Sequence, residues 1–334
     1  MFDSRGRPLH DVRISVTDRC NFRCVYCMPR EVFGRDFAFA PREELLTFEE
    51  IARLVRVLSD RGVKKVRLTG GEPLLRRDLE RLVEEIARID GIDDIALTTN
   101  GSLLTPAKAT ALAAAGLKRV TISLDAVDDA TFRRVNDVDM PVQRIFDAID
   151  AAAAAGLTPL KLDMVVVRGL NDTSVTSVAR QFRGTGHIIR FIEYMDVGNT
   201  NGWRMEDVVG GDEIVRMIAA EWPIERVDAN YFGEVAERWR YRDGAGEFGL
   251  ITSVTRPFCG SCTRLRVSAT GEIYTCLFSS AGHDVRSIMR SSAGDVTLDA
   301  AIEAIWSKRD DRYSEIRSEA TRELRKVEMS HIGG

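Results

Sequence analysis

No stretch of this 334-residue sequence stays apolar for the roughly 18 to 20 residues that a membrane-spanning helix requires. The opening MFDSRGRPLHD also lacks the apolar segment of a secretory signal. The expectation is a cytoplasmic chain with no membrane partner. A basic excess is missing too. Lys and Arg number 47 against 51 Asp and Glu, for a net charge of −4 and a pI near 5.8. A nucleic-acid-binding surface, usually basic, is therefore not expected, and any cationic site must be local. Spare cysteine is the most telling absence. All six fall into two triplets, Cys20/Cys24/Cys27 and Cys259/Cys262/Cys276, spaced C-x3-C-x2-C and C-x2-C-x13-C. A closed structural zinc site and a ferredoxin cluster each take four protein ligands. Neither triplet supplies a fourth cysteine, and nothing in the sequence indicates the export that three disulfides would require.

What is present is a repeating alternation. DVRISVT (11–17), KKVRLTG (64–70), DIALTTN (94–100), KRVTISLD (118–125), LKLDMVVV (160–167) and IIRFIEYM (188–195) have the length, β-branching and flanking turn residues of strands. Amphipathic stretches over 47–62, 77–89, 106–116, 142–156 and 174–184 separate them, and Thr47 with Glu50 forms a capping box. Repeated βα units imply parallel strands. Six units are too few to close an eight-stranded barrel. The predicted fold is α/β, an open partial (βα)6 TIM-type barrel over residues 1–196, with chemistry at the carboxyl ends of its strands. Beyond it the pattern changes to a loop, MDVGNTNGW, a helix over 212–222, two antiparallel hairpins and a helix over 300–318. Residues 197–334 are expected to form a smaller α+β extension layered over the open side of the barrel.

The first triplet follows the first strand. Three thiolates on a [4Fe–4S] cluster leave one iron open to a small molecule. TGGEP (69–73) follows the second strand, where two glycines admit close backbone approach by a ligand and Glu72 can accept from an ammonium group. Arg13, Arg67, Lys161 and Arg190 sit inside apolar strands, where uncompensated charge is costly, and Arg264 and Arg266 repeat the alternation after the second triplet. Each alone reads as a strand-end surface residue or an ion-pair partner. All six at one mouth would suit a triphosphate.

C-x3-C-x2-C with Tyr26 before its last cysteine resembles the radical S-adenosylmethionine superfamily. RLTGGEPLLR, TTNG, SLDA, RFIEYMDVG, FCGSCTRLRVSATGEIYTCLF and the terminal Gly-Gly extend the resemblance, from about residue 10 to 334, to the GTP 3′,8-cyclase family of molybdenum cofactor biosynthesis. That resemblance implies two [4Fe–4S] clusters, one on each triplet, with S-adenosylmethionine on the open iron of the first and the guanine of GTP on that of the second. It implies reductive cleavage to a 5′-deoxyadenosyl radical and cyclisation of GTP. Tyr26, Gly71, Ser123 and Met195 are implied to contact S-adenosylmethionine. Arg13, Arg67, Thr98 (or its neighbour Thr99), Lys161, Arg264, Leu265 and Arg266 are implied to contact GTP, with Arg190 a weaker candidate. Gly333, Gly334 and Arg266 are implied to serve catalysis. The implied partners are GTP, an external one-electron reductant and a downstream cyclic pyranopterin monophosphate synthase, with the chain a monomer or homodimer.

Three other readings stay open at this level. The second triplet could be a zinc site completed by His283. The chain could be a peptide-modifying radical enzyme with an auxiliary cluster, though such proteins usually carry more C-terminal cysteines. It could also be an electron carrier, which would need complete four-cysteine ligation.

Overall fold

The computed structural model describes residues 1–318, 321 and 324–333. Its first part is a run of parallel strands joined by helices. β1 (Asp11–Ser15) is followed by α1 (Phe48–Asp60), β2 (Lys65–Thr69), α2 (Leu79–Ala87), β3 (Asp94–Thr99), α3 (Pro106–Ala114) and β4 (Arg119–Ser123). Two helices, α4 (Asp129–Asn136) and α5 (Gln143–Ala154), then lead to β5 (Lys161–Val166), and α6 (Val175–Phe182) to β6 (Ile188–Glu193). Each of these strands pairs in parallel with the next. The strand over 94–100 and its neighbours appear as the sequence predicts. α4 was not foreseen: it is short and polar, and its main signature is the Asp128 cap, whose carboxylate accepts from Thr131 N at 2.8 Å.

The helices form because one face of each is apolar. In α1, Ile51, Leu54, Val55 and Leu58 recur at helical spacing and are all buried. Its first turn is closed by the expected capping box, with Glu50 N donating to Thr47 Oγ1 (3.1 Å) and Thr47 N to the Glu50 carboxylate (2.8 Å). Strand residues divide by parity. Val12, Ile14, Val66, Leu68, Leu162, Leu265 and Val267 are wholly buried and join the helices in one apolar core. The residues between them face the other way, into the interior of the curved sheet.

The last third departs from the expected layer over the open side. α7 (Gly211–Ala219), β7 (Ile224–Val227), β8 (Glu237–Tyr241) and β9 (Glu247–Ile251) continue the sheet beyond β6, with β9 parallel to β6 and the rest antiparallel. The chain then crosses to the opposite edge. There β10 (Arg264–Val267) runs parallel to β1, and β11 (Glu272–Tyr274) and β12 (His283–Asp284) follow antiparallel. The result is one unclosed twelve-stranded sheet, ordered β12-β11-β10-β1-β2-β3-β4-β5-β6-β9-β8-β7. Both expected hairpins are present, β8–β9 and β10–β11, but they extend its edges instead of stacking on it. α8 (Arg286–Arg290) and α9 (Asp295–Ser307) follow. The helix expected over 300–318 thus begins earlier and stops at Ser307, because Arg309 turns inward to ion pairs and main-chain carbonyls. Among the described residues, no helix is long and apolar enough to cross a membrane.

Replacing Thr47 with Ala removes the capping hydroxyl of α1. The expected cost is about 1 kcal/mol, read as a lower denaturant midpoint, with ligand binding unchanged.

Candidate active site

The two cysteine triplets line one cavity of about 300 Å³ on the inner face of the sheet. All six thiols are free and half-buried. Strand direction places them at opposite ends. Cys20, Cys24 and Cys27 follow the carboxyl end of β1, whereas Cys259 and Cys262 precede the amino end of β10, its parallel neighbour. Cys276 lies two residues past β11, which runs antiparallel to β10 and so returns to that same end. A five-residue strand spans roughly 13 Å between its first and last residues. The chemistry expected at carboxyl ends alone therefore has a second pole at the amino ends.

At the first pole the TGGEP turn holds the cysteine loop. Gly71 N donates to Thr17 O (2.7 Å) and Glu72 N to Arg19 O (2.8 Å). A Cβ on Gly70 (φ +156°) would collide with Thr17 O, and one on Gly71 with Arg19 O. The close approach these glycines permit is thus first of all by the chain's own loop. Glu72 also differs from expectation. It is wholly buried and does not line the cavity; its carboxylate accepts from Leu74 N (3.0 Å), Thr99 Oγ1 (2.7 Å) and Asn100 N (2.7 Å). Burial pushes its carboxyl up to about 7 while these hydrogen bonds oppose the rise. It fastens β3's end to the turn, and its burial keeps it from the cavity where an ammonium group would sit. Tyr26, Gly71, Ser123 and Met195 all line the cavity. Tyr26 Oη donates to Asp125 Oδ2 at 2.9 Å, and Asp125 Oδ1 accepts from Val165 N at 3.0 Å.

Between the poles lies a cationic layer. β1 pairs Arg13 with Arg266 on one side and with Arg67 on the other, so three guanidinium side chains stand abreast. One step toward the amino ends, Asp11 lies between Arg264 and Lys65. Lys161 and Arg190 complete the lining, with Arg190 Nε on Asp163 Oδ1 at 2.6 Å. Arg67 Nη1 donates to Thr98 Oγ1 (2.9 Å) and Thr121 Oγ1 (3.1 Å). The Thr99 hydroxyl is committed to Glu72, so Thr98 is the threonine that belongs to this layer. Burial, then neighbouring cations, lowers Lys161 to about 7 and Lys65 to about 8. Burial, with help from Arg266, Arg264 and Arg67, holds Arg13 well below its ordinary value. Lys65 was missed in the sequence, although it shares Arg67's face two residues upstream. Tyr231 was missed as well; its ring stands 5.3 Å from Lys65 Nζ, and nothing in its loop sequence announces that.

Leu265 is placed differently from its neighbours: its side chain is fully buried in the apolar core, on the opposite face from Arg264 and Arg266, so any contact it makes with a ligand is through its main chain. Gly333 is brought in: its carbonyl accepts from Arg266 Nη1 at 2.5 Å, and its positive φ of 68° suits glycine. Gly334 lies outside the described residues.

The thiols differ between poles. Burial, then the charge of Glu72, raises Cys20 to about 11, and burial raises Cys24 and Cys27 further. Burial also raises Cys276, to about 12. For Cys262 burial is outweighed by Arg264 and Arg309, which bring it to about 6. His283, offered as a fourth ligand for zinc, is exposed on β12 and does not line the cavity. Among the described residues no three His, Cys, Asp or Glu side chains are grouped to hold a single ion. In a [4Fe–4S] cluster each cysteine takes a different iron, so its ligands stand wider apart, and three free thiols around one cavity end fit that group.

The sequence has counterparts among known proteins. A GTP 3′,8-cyclase of Acidothermus cellulolyticus is 56% identical, over 99% of this chain and 98% of its own length. One of Staphylococcus saprophyticus is 48% identical over the same shares. The chain belongs to the GTP 3′,8-cyclase family. Profiles of the Radical SAM superfamily and of Molybdenum Cofactor Synthesis C match residues 14–182 and 187–315. Membership brings S-adenosylmethionine and an iron–sulfur cluster with it. The fold also resembles Streptococcus suis SuiB bound to S-adenosylmethionine, at TM-score 0.62 and 15% identity over 95% of this chain and 72% of that one. It resembles native anSMEcpe with bound AdoMet at 0.51 and 16%, over 64% and 60%.

The burial of Leu265 separates stability from binding. Leu265→Ala is expected to cost about 2–5 kcal/mol of stability by denaturant titration, while triphosphate affinity per folded molecule stays within twofold by calorimetry.

Proposed function

We propose that the chain converts GTP to (8S)-3′,8-cyclo-7,8-dihydroguanosine 5′-triphosphate, an early step of molybdenum cofactor biosynthesis. The observation that carries this reading is the single cavity with a cysteine triplet at each end and a cationic layer between. Cys20, Cys24 and Cys27 would hold one [4Fe–4S] cluster, and Cys259, Cys262 and Cys276 a second. Bound S-adenosylmethionine and the first cluster supply one-electron reduction and a carbon-centred radical.

The protein's own part is position and charge. Tyr26, Gly71, Ser123 and Met195 border the first pole and would seat S-adenosylmethionine. Arg13, Lys65, Arg67, Lys161, Arg264 and Arg266 would hold the triphosphate, with Thr98 orienting Arg67. Arginine forks suit phosphate oxygens, and the desolvated cavity strengthens each contact. The base would then lie toward the second triplet and the ribose toward the first. Gly333 would bring main chain, unobstructed by a side chain, to Arg266 beside the ribose, and Gly334 would serve catalysis with it. In this reading residues 1–196 form a partial (βα)6 barrel and 197–334 the extension that carries the second cluster. The proposal includes an external one-electron reductant, a downstream cyclic pyranopterin monophosphate synthase, a cytoplasmic setting and a monomer or homodimer, without nucleic acid or membrane.

Anaerobic reconstitution tests the division of labour. Wild-type protein should bind about eight irons, the content of two clusters, and form the cyclised triphosphate. Cys24→Ala should abolish cleavage of S-adenosylmethionine. Cys262→Ala should retain uncoupled cleavage and lose product, so wild-type yield from it would refute the assignment.

The lysines make GTP binding pH-dependent. In the empty cavity Lys161 and Lys65 lose their protons near 7 and 8, and a polyanion beside them raises both values. Binding at pH 8 must therefore take up protons, and affinity should fall as pH rises from 7 to 9. Calorimetry in buffers of different ionisation heat measures the uptake. Lys161→Arg, charged throughout, should reduce the uptake and flatten the profile.

A further inference from the structure

Behind the second triplet lies a buried ion triad that the cavity lining does not include. Its first member comes from the opposite end of the chain. The Asp3 carboxylate folds the N-terminal segment on itself, with Oδ1 accepting from Arg5 N (3.0 Å) and Arg7 N (2.8 Å). Its Oδ2 lies between two guanidinium groups, accepting from Arg7 Nε at 2.6 Å and Arg309 Nη1 at 3.2 Å. The three side chains are 0%, 1% and 2% exposed. Buried charges are tolerated where they are paired and their remaining protons bonded. Here those protons go to the main chain around the cysteines. Arg7 Nη1 donates to Cys259 O (2.9 Å) and to Asp311 O (2.7 Å). Arg309 Nη1 donates to Cys262 O (2.8 Å), and its Nε to Thr275 O (3.0 Å), the residue before Cys276. Every strand-end segment bearing a cysteine of this triplet is thus tied to one carboxylate. Asp311, 3.6 Å from Arg309 Nε and 30% exposed, is a further nearby acid. Arg7 Nη2 is buried and has no hydrogen-bond partner among the described residues.

We propose that Asp3, Arg7 and Arg309 are positioning residues for the second cysteine triplet, acting through the carbonyls of Cys259, Cys262 and Thr275 and biasing the reduction potential of the cluster held there. The inference rests on the reading that this triplet holds a [4Fe–4S] cluster. Two consequences follow from separate properties of the triad. Its hydrogen bonds fix the two segments, 259–262 and 275–276, before any metal arrives. Its charge acts on the potential, since net charge and hydrogen bonding near a cluster are among the factors that set it. Removing the carboxylate makes the surroundings more positive and reduction easier; removing a guanidinium does the reverse.

The full-length chain, reconstituted anaerobically, is titrated electrochemically with spectroscopic detection of both clusters. The first cluster is recognised by its response to S-adenosylmethionine. The second should move to higher potential in Asp3→Asn and to lower potential in Arg309→Gln, with the first unmoved in both. Arg309→Lys keeps the charge and loses the fork, so it should hold the potential near wild type. In the metal-free chain, amide hydrogen exchange at 259–262 and 275–276 should quicken at least tenfold in Arg309→Lys and Arg7→Gln. Asp3→Asn is nearly isosteric and keeps the test open if an arginine variant fails to fold. Unmoved potentials at full iron content, shifts of the same sign in Asp3→Asn and Arg309→Gln, or unchanged exchange would overturn the proposal while the cluster reading stands. Only about four irons, the content of one cluster, in the wild type would overturn both.

Discussion

Three arginines from three adjacent strands share one level of the sheet, and among the described residues no carboxylate forms an ion pair with any of them. Arg266, Arg13 and Arg67 are neighbours by register across β10, β1 and β2. Adjacent strands lie about 5 Å apart. At an effective dielectric near 20, unit charges at that separation repel by roughly 3 kcal/mol. Burial lowers Arg13, Arg67 and Arg266, and neighbouring cations add to it: Arg266, Arg264 and Arg67 at Arg13, Arg190 at Arg67, and Arg264 at Arg266. The opposite face of the same strands is buried in one apolar core, which holds the layer in place. The interior is strained toward a polyanion, and the rest of the molecule keeps that strain in place.

The surrounding devices follow from this layer. Arg67 is oriented by Thr98 and Thr121, Arg190 is held by Asp163, and Arg266 is met by the Gly333 carbonyl. The loop from Asp196 to Thr200 grips the C-terminal segment that carries Gly333. Lys326 Nζ reaches Asp196 Oδ2 at 3.0 Å, both 2% exposed, and Glu328 accepts from Asn199 N and Thr200 Oγ1. Met195, at the head of that loop, borders the first pole. One loop therefore links the first-triplet side of the cavity to the tail.

Much of this was legible in the residues. The βα repeat, the capping box at Thr47 and the two incomplete triplets are local patterns, and local patterns survive folding. The parity of RLR predicts that Arg264 and Arg266 share a face; the same parity sends Leu265 into the core, which a contiguous motif hides. Glu72 was misread because a carboxylate beside two glycines looks available until its three main-chain and hydroxyl donors are located. The path of the last third was not legible either. Whether a hairpin stacks on a sheet or extends its edge depends on pairing between residues some 250 positions apart, such as Asp11 with Arg264, and no local signal records that partner. The ion triad is hidden for the same reason. Asp3 and Arg309 are ordinary surface types in sequence and become buried only through each other.

The placement of β10 beside β1 has a consequence for synthesis on the ribosome. β1 emerges early, yet the strand that covers its free edge is translated near the end of the chain. Throughout that interval β1 presents unpaired main-chain groups along one side, and Arg13 has no Arg266 beside it. β6 likewise waits for β9. A nascent chain halted before residue 247 exposes both margins of its sheet, the condition under which strands recruit wrong partners. The β1 margin is closed after the β6 margin, and its closure is the same event that brings the second triplet to the cavity. Closing that edge of the sheet and building the second pole are one step.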